Sequence, residues 1–378
     1  MTNKVQVKNL IIIIGIALIS VLAVYIGRKR NNLIQKDLIS NSIKELNVES
    51  KLMNSHKWVF INPLTYSKEG YIYIGDAKGY NGLIKVLVLS DTNRIINSVK
   101  VIDQAETHSY FQRIIKKEFL KLFIGIDINS INNIDGISGA TVSCNGIKNA
   151  IISAYHLGEN LDPNDKEKLR FGTLEAIILL LFVLAFAKAK IRRNKYSKRI
   201  WWTSLLLSVV FLGFIYNQSI TTARINSLLL GTWPSIYTGL FVYILLFGTL
   251  LSILFTGKNH YCHSICPFGA SQEIIGKLGS AKPIKFKFSK HLKKVQWLIS
   301  FLVITVGLYM HDPGLTEYEI YGGLFNLTAS KIGFVLVIII IISSLFIKRP
   351  WCRFLCPLDG IFKYLRVVRK EVIRIIKK

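Results

Sequence analysis

Four cysteines stand in two units of one spacing: Cys262 and Cys266 in CHSICPFGA, and Cys352 and Cys356 in CRFLCPLDG. Thiolates are soft ligands, and four of them suit one iron–sulfur cluster or one structural zinc ion. A proline follows each second cysteine (Pro267, Pro357), and Gly269 and Gly360 then read as turns. That pattern leans toward a cluster, since zinc sites more often use the closer CxxC spacing. Neither unit has enough cysteines alone, so each must supply two ligands to a shared site. Cys144 stands apart and reads as a small helix-packing residue, while His260 and His263 read as loop histidines beside Cys262. A second string, DGISGATVS from Asp135 to Ser143, sets small residues and hydroxyls before a helical stretch. It suits a phosphate held at a helix N-terminus, or equally a tight turn capped by Ser143.

These residues need elements to carry them. The chain has 378 residues, and its 51% hydrophobic content is gathered into uncharged runs, as in membrane spans. Leu10 to Gly27 is the first run. No small-residue cleavage site precedes Arg28-Lys29-Arg30, so residues 1–30 read as an uncleaved transmembrane anchor. Residues 31–57 are polar with Leu33, Leu38, Ile39, Ile43 and Leu46 at helical spacing, and read as a connecting helix. Over 58–160, β-type runs (Tyr71 to Ile74, Ile84 to Leu89, Ile95 to Ile102) alternate with turns such as Gly79-Tyr80-Asn81-Gly82. Helical patterns follow at 108–123 and 145–156. This is the pattern of an α+β domain.

Five more apolar runs, at 171–187, 200–217, 236–256, 295–311 and 332–347, bring the expected total to about six spans. Within them lies an internal two-helix repeat. Trp201 opens residues 199–270 and stands 61 residues before Cys262; Trp297 opens 295–360 and stands 55 before Cys352. Repeats of equal orientation are related by an axis along the membrane normal, which brings the two cysteine loops together. Residues 361–378 alternate apolar and basic residues at helical spacing, as an amphipathic tail on the inner membrane surface does. The fold class expected is a multi-domain membrane protein, an α+β extracytoplasmic domain joined to an α-helical transmembrane domain.

The net charge of +27 comes from 49 basic and 22 acidic residues, and its location excludes nucleic acid as a partner. Loop 188–199 carries seven basic residues and no acid, loop 257–294 eight and one, and the tail after Ile347 ten and two. Loop 218–235 has only Arg224, and loop 312–331 has three acids and Lys331. The positive-inside rule puts the first set, with both cysteine units, in the cytoplasm and the 58–160 domain outside. Arg28, Lys29 and Arg30 run against that assignment locally.

DGISGAT resembles the flavinylation motif of the FMN-binding domains found in the Rnf complex and in the sodium-translocating NADH:quinone reductase. The resemblance implies FMN joined as a phosphoester to Thr141 by a flavin transferase, with Asp135, Gly136, Ser138, Gly139 and Ala140 completing the motif. GYNGLIKVLVLSD resembles that family's first strands, and Glu106-Thr107 its Glu-Thr pair near the flavin ring. His108 and Ser109 stand where those relatives usually have Pro-Gly. A flavin also supplies the redox partner that favours a cluster over zinc.

CHSICPFGASQE and RPWCRFLCPLDG, in this domain order, resemble the NosR family of membrane flavoproteins. The resemblance implies one iron–sulfur cluster, [4Fe–4S] before [2Fe–2S], on Cys262, Cys266, Cys352 and Cys356. NosR continues into ferredoxin-like domains where this sequence has a basic tail, which implies a soluble cytoplasmic electron donor or another subunit in their place. The function implied is electron transfer across the cytoplasmic membrane, between a cytoplasmic or quinol donor and an extracytoplasmic redox partner. A redox-sensing regulatory or maturation role, and a zinc-stabilised scaffold, are the alternatives. The hydrocarbon core is about 30 Å thick, and a bound quinone is one candidate to bridge it.

Overall fold

The computed structural model describes residues 2–46, 49–61, 68–106, 108–138, 140–161, 171–191, 195–283, 289–317, 321–325 and 331–376. Thr107 and Gly139 lie outside these.

Helix α1 (Thr2–Lys44) runs unbroken through the apolar run and the polar stretch after it. Strands β1 (Glu49–Asn54), β2 (Lys57–Ile61), β3 (Lys68–Lys78), β4 (Leu83–Asp91) and β5 (Ile96–Gln104) then form an antiparallel meander in sequence order. The stretch 31–57 is therefore helix to Lys44 and then an edge hairpin. Its polar first strand, ESKLMN, lacks the alternation that reveals a half-buried strand.

Helix α2 (His108–Lys116), two 3₁₀ turns and α3 (Thr141–Gly158) complete this sheet domain. On β4, Ile84, Val86 and Val88 point to one face, into a core with Phe119, Ile147, Ile151 and Ala154. Leu87 points to the other, with Phe60, Ile72 and Ile74, where Ile39 and Ile43 of α1 and Leu46 in the turn after it cover it. Burial on both faces explains why β4 reads as a nearly continuous apolar run. Helix α3 crosses the sheet at Gly75, where an added Cβ would overlap the Ala154 backbone nitrogen.

The helical domain follows as α4 (Thr173–Lys190), α5 (Lys195–Leu207) prolonged by a π-helical segment to Ile215, α6 (Thr222–Leu229), α7 (Ile236–Thr256), α8 (Pro267–Leu278), α9 (Ser289–Met310), α10 (Tyr321–Phe325), α11 (Lys331–Phe346), α12 (Pro350–Phe354) and α13 (Pro357–Ile376). Among the described residues four helices are long and apolar enough to cross a membrane: Leu10–Lys44, Lys195–Ile215, Gly239–Thr256 and His291–Met310. Helix α11 is apolar but has 16 residues, and α4 carries Glu175, Lys188 and Lys190 among its 18.

Residues 270 and 360, read as ends of the repeats, fall inside α8 and α13. Pro267 and Pro357 start these helices, since proline is pre-organised for a first helical turn. Their glycines permit close packing instead of turning the chain. A Cβ on Gly360 would overlap the Ser300 hydroxyl on α9, and one on Gly269 would lie 3.2 Å from the Cys262 carbonyl oxygen. The helix from Pro357 also packs against α9, α7 and α1.

One member of the basic cluster, Arg30, has a local partner. The Arg30 guanidinium lies 5.0 Å over the Tyr309 ring and donates to the Met310 carbonyl at 3.4 Å. It thus meets the negative end of α9.

Replacing Gly75 with valine sets a branched side chain against the α3 backbone. The expected cost is about 2 kcal/mol or more, read as a lower thermal midpoint of the full chain by circular dichroism. Gly15→Ala, at a mid-helix position with nothing within 4 Å of the new Cβ, does not lower the midpoint.

Candidate functional site

The loop Asp135–Ala140 delivers Thr141 as the first residue of α3. Asp135, Ser138 and Thr141 are exposed, Gly136 is half-buried and Ala140 buried. The Thr141 hydroxyl donates to the Ile137 carbonyl at 3.4 Å. Gly136 keeps the loop tight, as its Cβ would lie 3.4 Å from the Thr141 methyl carbon. Cys144 is fully buried, and its sulfur accepts from the Ile137 N–H at 3.4 Å, fixing the loop from below. Burial pushes this thiol's pKa up. Two cations brace the loop: Arg113 donates to the Ser138 carbonyl at 3.4 Å and Lys148 to that of Ile134 at 2.9 Å. An exposed hydroxyl on a helix N-terminus, with cations beside it, fits the phosphate end of FMN.

Glu106 is 3% exposed. One carboxylate oxygen accepts from the backbone N–H groups of Asn81 (2.9 Å) and Gly82 (3.3 Å); the other accepts from the Ser143 hydroxyl. Glu106 thus ties the Gly79–Gly82 turn to the first turn of α3. That turn meets the helical domain. Asn81 donates to the Glu317 carboxylate at 2.8 Å, the Arg224 guanidinium lies 4.8 Å from the Tyr80 ring, and the Lys78 amine reaches the Ser227 hydroxyl and the Thr232 carbonyl. Gly314 permits the contact, since a Cβ there would be 2.7 Å from the Glu106 carbonyl oxygen. The Thr141 end of the sheet domain is therefore seated on α6 and the loop after α9.

The four paired cysteines lie at the other end of the helices. Cys262 and Cys352 are half-buried and Cys266 and Cys356 buried, and all four line one cavity of about 540 Å³. Among the described residues, no three His, Cys, Asp or Glu side chains converge closely enough to hold a single metal ion. Four thiols around one cavity supply the ligand set that a four-thiolate cluster requires.

The frame around the cavity is specific. Arg349, in a left-handed backbone conformation at φ 50°, joins the two units. It donates to Glu273 at 2.6 Å, to the Cys262 carbonyl at 2.8 Å and to the His263 carbonyl at 3.1 Å. Gln272 donates to the Cys352 sulfur at 3.4 Å and accepts from the Trp351 N–H at 3.1 Å. Gln296 donates to the Cys352 and Cys356 carbonyls, and Ser204 to that of Ser264. Burial pushes the Cys352 thiol up to about 12 and the Cys262 thiol well above its ordinary value, with neighbouring cysteines adding to both. Thiolates form here only against a compensating positive group, so metal loading releases protons.

The flanking histidines differ. His260 is buried with its ring 5.1 Å from Phe186, while His263 is exposed and its ring meets that of Trp201 edge-on at 5.7 Å. Desolvation by the groups around the ring, then Lys188 and Arg349, lower His263 to about 4. Arg349, Gln272, Glu273, Arg113 and Lys148 escape motif reading. Three of them do lie in the strings that carry the resemblance: Gln272 and Glu273 end CHSICPFGASQE, and Arg349 opens RPWCRFLCPLDG.

Residues 79–156 match the FMN-binding domain family, and residues 238–290 and 331–375 match the 4Fe-4S binding domain family. The chain is 26% identical over 200 residues to the regulatory protein NosR of Pseudomonas aeruginosa, covering 49% of this chain and 28% of that one. The chain is thus similar to NosR over about half of its own length. Protein NirI of Paracoccus denitrificans is 25% identical over 205 residues, 50% of this chain and 30% of NirI. NosR of Stutzerimonas stutzeri is 24% identical over 215 residues, 52% and 29%. The chain thus spans under a third of the NosR and NirI sequences it matches. No solved structure matches it.

The seat of the sheet domain is pH-dependent. Burial first, then repulsion by Arg224, lower Lys78 to about 7, against the pull of Glu106. An unseated lysine titrates near 10.4, so seating releases a proton between those values. The seated state gains stability as pH rises from about 7 toward 10 and is indifferent to pH below 7. The thermal midpoint of the wild type should rise between pH 7 and 9, with a smaller rise in Lys78→Met.

Proposed function

We propose that this NosR-type flavoprotein carries electrons across the cytoplasmic membrane. The donor is cytoplasmic or a quinol, and the acceptor is a redox protein outside. Thr141 holds FMN as a phosphoester installed by a flavin transferase, with Asp135, Gly136, Ser138 and Ala140 shaping the phosphate loop and Glu106 near the ring; their motif partners Gly139 and Thr107 lie outside the described residues. Cys262, Cys266, Cys352 and Cys356 hold one iron–sulfur cluster, [4Fe–4S] in preference to [2Fe–2S]. FMN supplies one- and two-electron steps and the cluster one-electron steps. The observation that carries this reading is that all four cysteines line one cavity, with the Thr141 motif at the opposite end of the membrane helices.

The chain's own residues divide the work. Arg349, Gln272 and Gln296 hold the two cysteine loops in mutual register. Glu106 and Ser143 hold the first turn of α3 against the Gly79–Gly82 turn. Six spans follow when α4 and α11 are added to the four long apolar helices, and the two halves from α5 and from α9 form the repeat. The basic loops lie in the cytoplasm and the sheet domain outside. Helix α7, of 21 residues, measures about 31 Å, so the two sites need a carrier between them. An apolar cavity of about 490 Å³, lined by Ser20, Leu229, Phe247, Trp297 and Tyr364 among others, lies along that path and has room for a quinone ring.

A second reading, a redox-sensing regulatory or maturation protein, is favoured by the name "regulatory protein" carried by the NosR relatives. Membrane vesicles distinguish the two. Under the transport reading, a donor on the cysteine side reduces an impermeant acceptor on the flavin side, and Cys352→Ser abolishes this. A sensor leaves the acceptor oxidised.

The sites have a direct test. Purified wild type should carry iron with no stoichiometric zinc, and its flavin should survive denaturation. Thr141→Ala should lose the denaturation-stable flavin and keep the iron. Cys352→Ser should lose the iron and keep the flavin. Zinc in place of iron, or flavin retained by the alanine variant after denaturation, sinks the assignments.

A further inference from the structure

The cysteine cavity is ringed by cations. Lys258, Lys348, Arg349, Arg353 and Arg366 line it together with the four thiols, and Cys262 and Cys352 are partly exposed at its surface. A second cavity of about 740 Å³ shares His263, Lys348 and Arg349 with the first and adds Lys198 and Trp201. These basic residues come from separate segments: the start of α5, the loop after α7, the turn before α12, and α12 and α13 themselves. Membrane orientation requires basic loops, but it does not require them to converge on one opening.

The carboxylates lining the two cavities are already engaged. Asp359 pairs with Lys363 at 2.7 Å and Arg366 at 3.6 Å; Glu273 pairs with Lys348 at 2.9 Å and Arg349 at 2.6 Å. Lys198 and Lys258 line the cavities, and among the described residues neither has a carboxylate partner. The ring therefore presents uncompensated positive charge around the entrance to the thiols.

Building on the electron-transfer reading above, we infer that this mouth is the docking surface for a small acidic electron-carrier protein of the ferredoxin or flavodoxin type. Any protein that exchanges electrons with a group held by the four thiols must approach it here. A positive ring steers an acidic partner to that spot, raising the encounter rate and making it salt-sensitive. Lys198 and Lys258 attract the carrier at the edge of the surface, clear of the residues that frame the thiols.

The test uses the full chain in nanodiscs of zwitterionic lipid. One measurement is the binding of a fluorescently labelled acidic [2Fe–2S] ferredoxin. The other is reduction of the chain's visible absorbance by that ferredoxin or by reduced methyl viologen, a small cation. The ferredoxin rate and affinity should each fall about tenfold between low salt and about 0.3 M salt. The double variant K198E/K258E should lose about tenfold in both at low salt, and K198Q/K258Q should fall between it and wild type. Viologen reduction should be undiminished in every variant, which shows that the thiol site is intact.

Ferredoxin binding and reduction that ignore both salt and the lysine variants overturn the inference. So does a result in which the variants weaken only adhesion to anionic-lipid vesicles, because the ring is then a membrane contact. If reduced viologen fails to bleach even the wild type, the electron-transfer reading falls and the docking surface with it. If viologen works and ferredoxin does not, only the docking surface falls.

Discussion

The Arg349–Glu273 pair is the interaction on which the cysteine site depends. The two CxxxCP loops, about 90 residues apart in the chain, line one cavity, and the proposed shared cluster requires them to be held in one register. Glu273 sits on the helix after the first unit, and Arg349 immediately precedes the helix that opens the second. Glu273 is 8% exposed, and Arg349 and Lys348 hold its carboxyl below the usual range although burial works the other way. Loss of Glu273 leaves the largely buried Arg349 guanidinium without a carboxylate, at a cost of about 3–5 kcal/mol, whereas loss of Arg349 leaves Glu273 still paired with Lys348. Arg349 spends its remaining N–H groups on the carbonyls of Cys262 and His263, so the same residue that joins the halves also shapes the first loop.

The sheet domain shows the same economy. Glu106 joins a turn and a helix that are distant in sequence, and the turn it supports is the part that meets the helical domain. The motif that carries Thr141 is thus anchored to the membrane helices through one buried carboxylate and its neighbours. Lys78, Arg224 and Glu317 complete a polar seat between two apolar bodies, which favours one orientation over sliding. Polar contacts that must be satisfied when buried specify geometry more sharply than apolar ones.

Much of this was legible in the sequence, for identifiable reasons. The strands from Tyr71 to Ile102 and the helix after DGISGAT follow from periodicity and turn chemistry, and the cysteine pairing from spacing. Other features depend on partners far away in the chain. A glycine after a proline reads alike whether it turns the chain or admits a neighbour, and only the approach of Ser300 shows which Gly360 does. Lys78 reads as an ordinary strand-end lysine until α6 covers it. The first strand of the hairpin, from Glu49, is a polar edge, and edges carry little pattern. Arg28 to Arg30 look like an orientation signal, yet Arg30 answers the carbonyl end of α9.

The uninterrupted α1 carries a further consequence. At 43 residues it is about 65 Å long. It packs beside α9 with Gly27 pressed against the Leu308 and Tyr309 carbonyls, and it then covers the sheet through Ile39 and Ile43. One rigid rod therefore contacts both bodies, and its two contact faces are related by a fixed helical phase. Each inserted or deleted residue between Gly27 and Ile39 turns one face by about 100° against the other. The length of that segment is therefore quantised, and evolution can change it only in near-whole turns of helix.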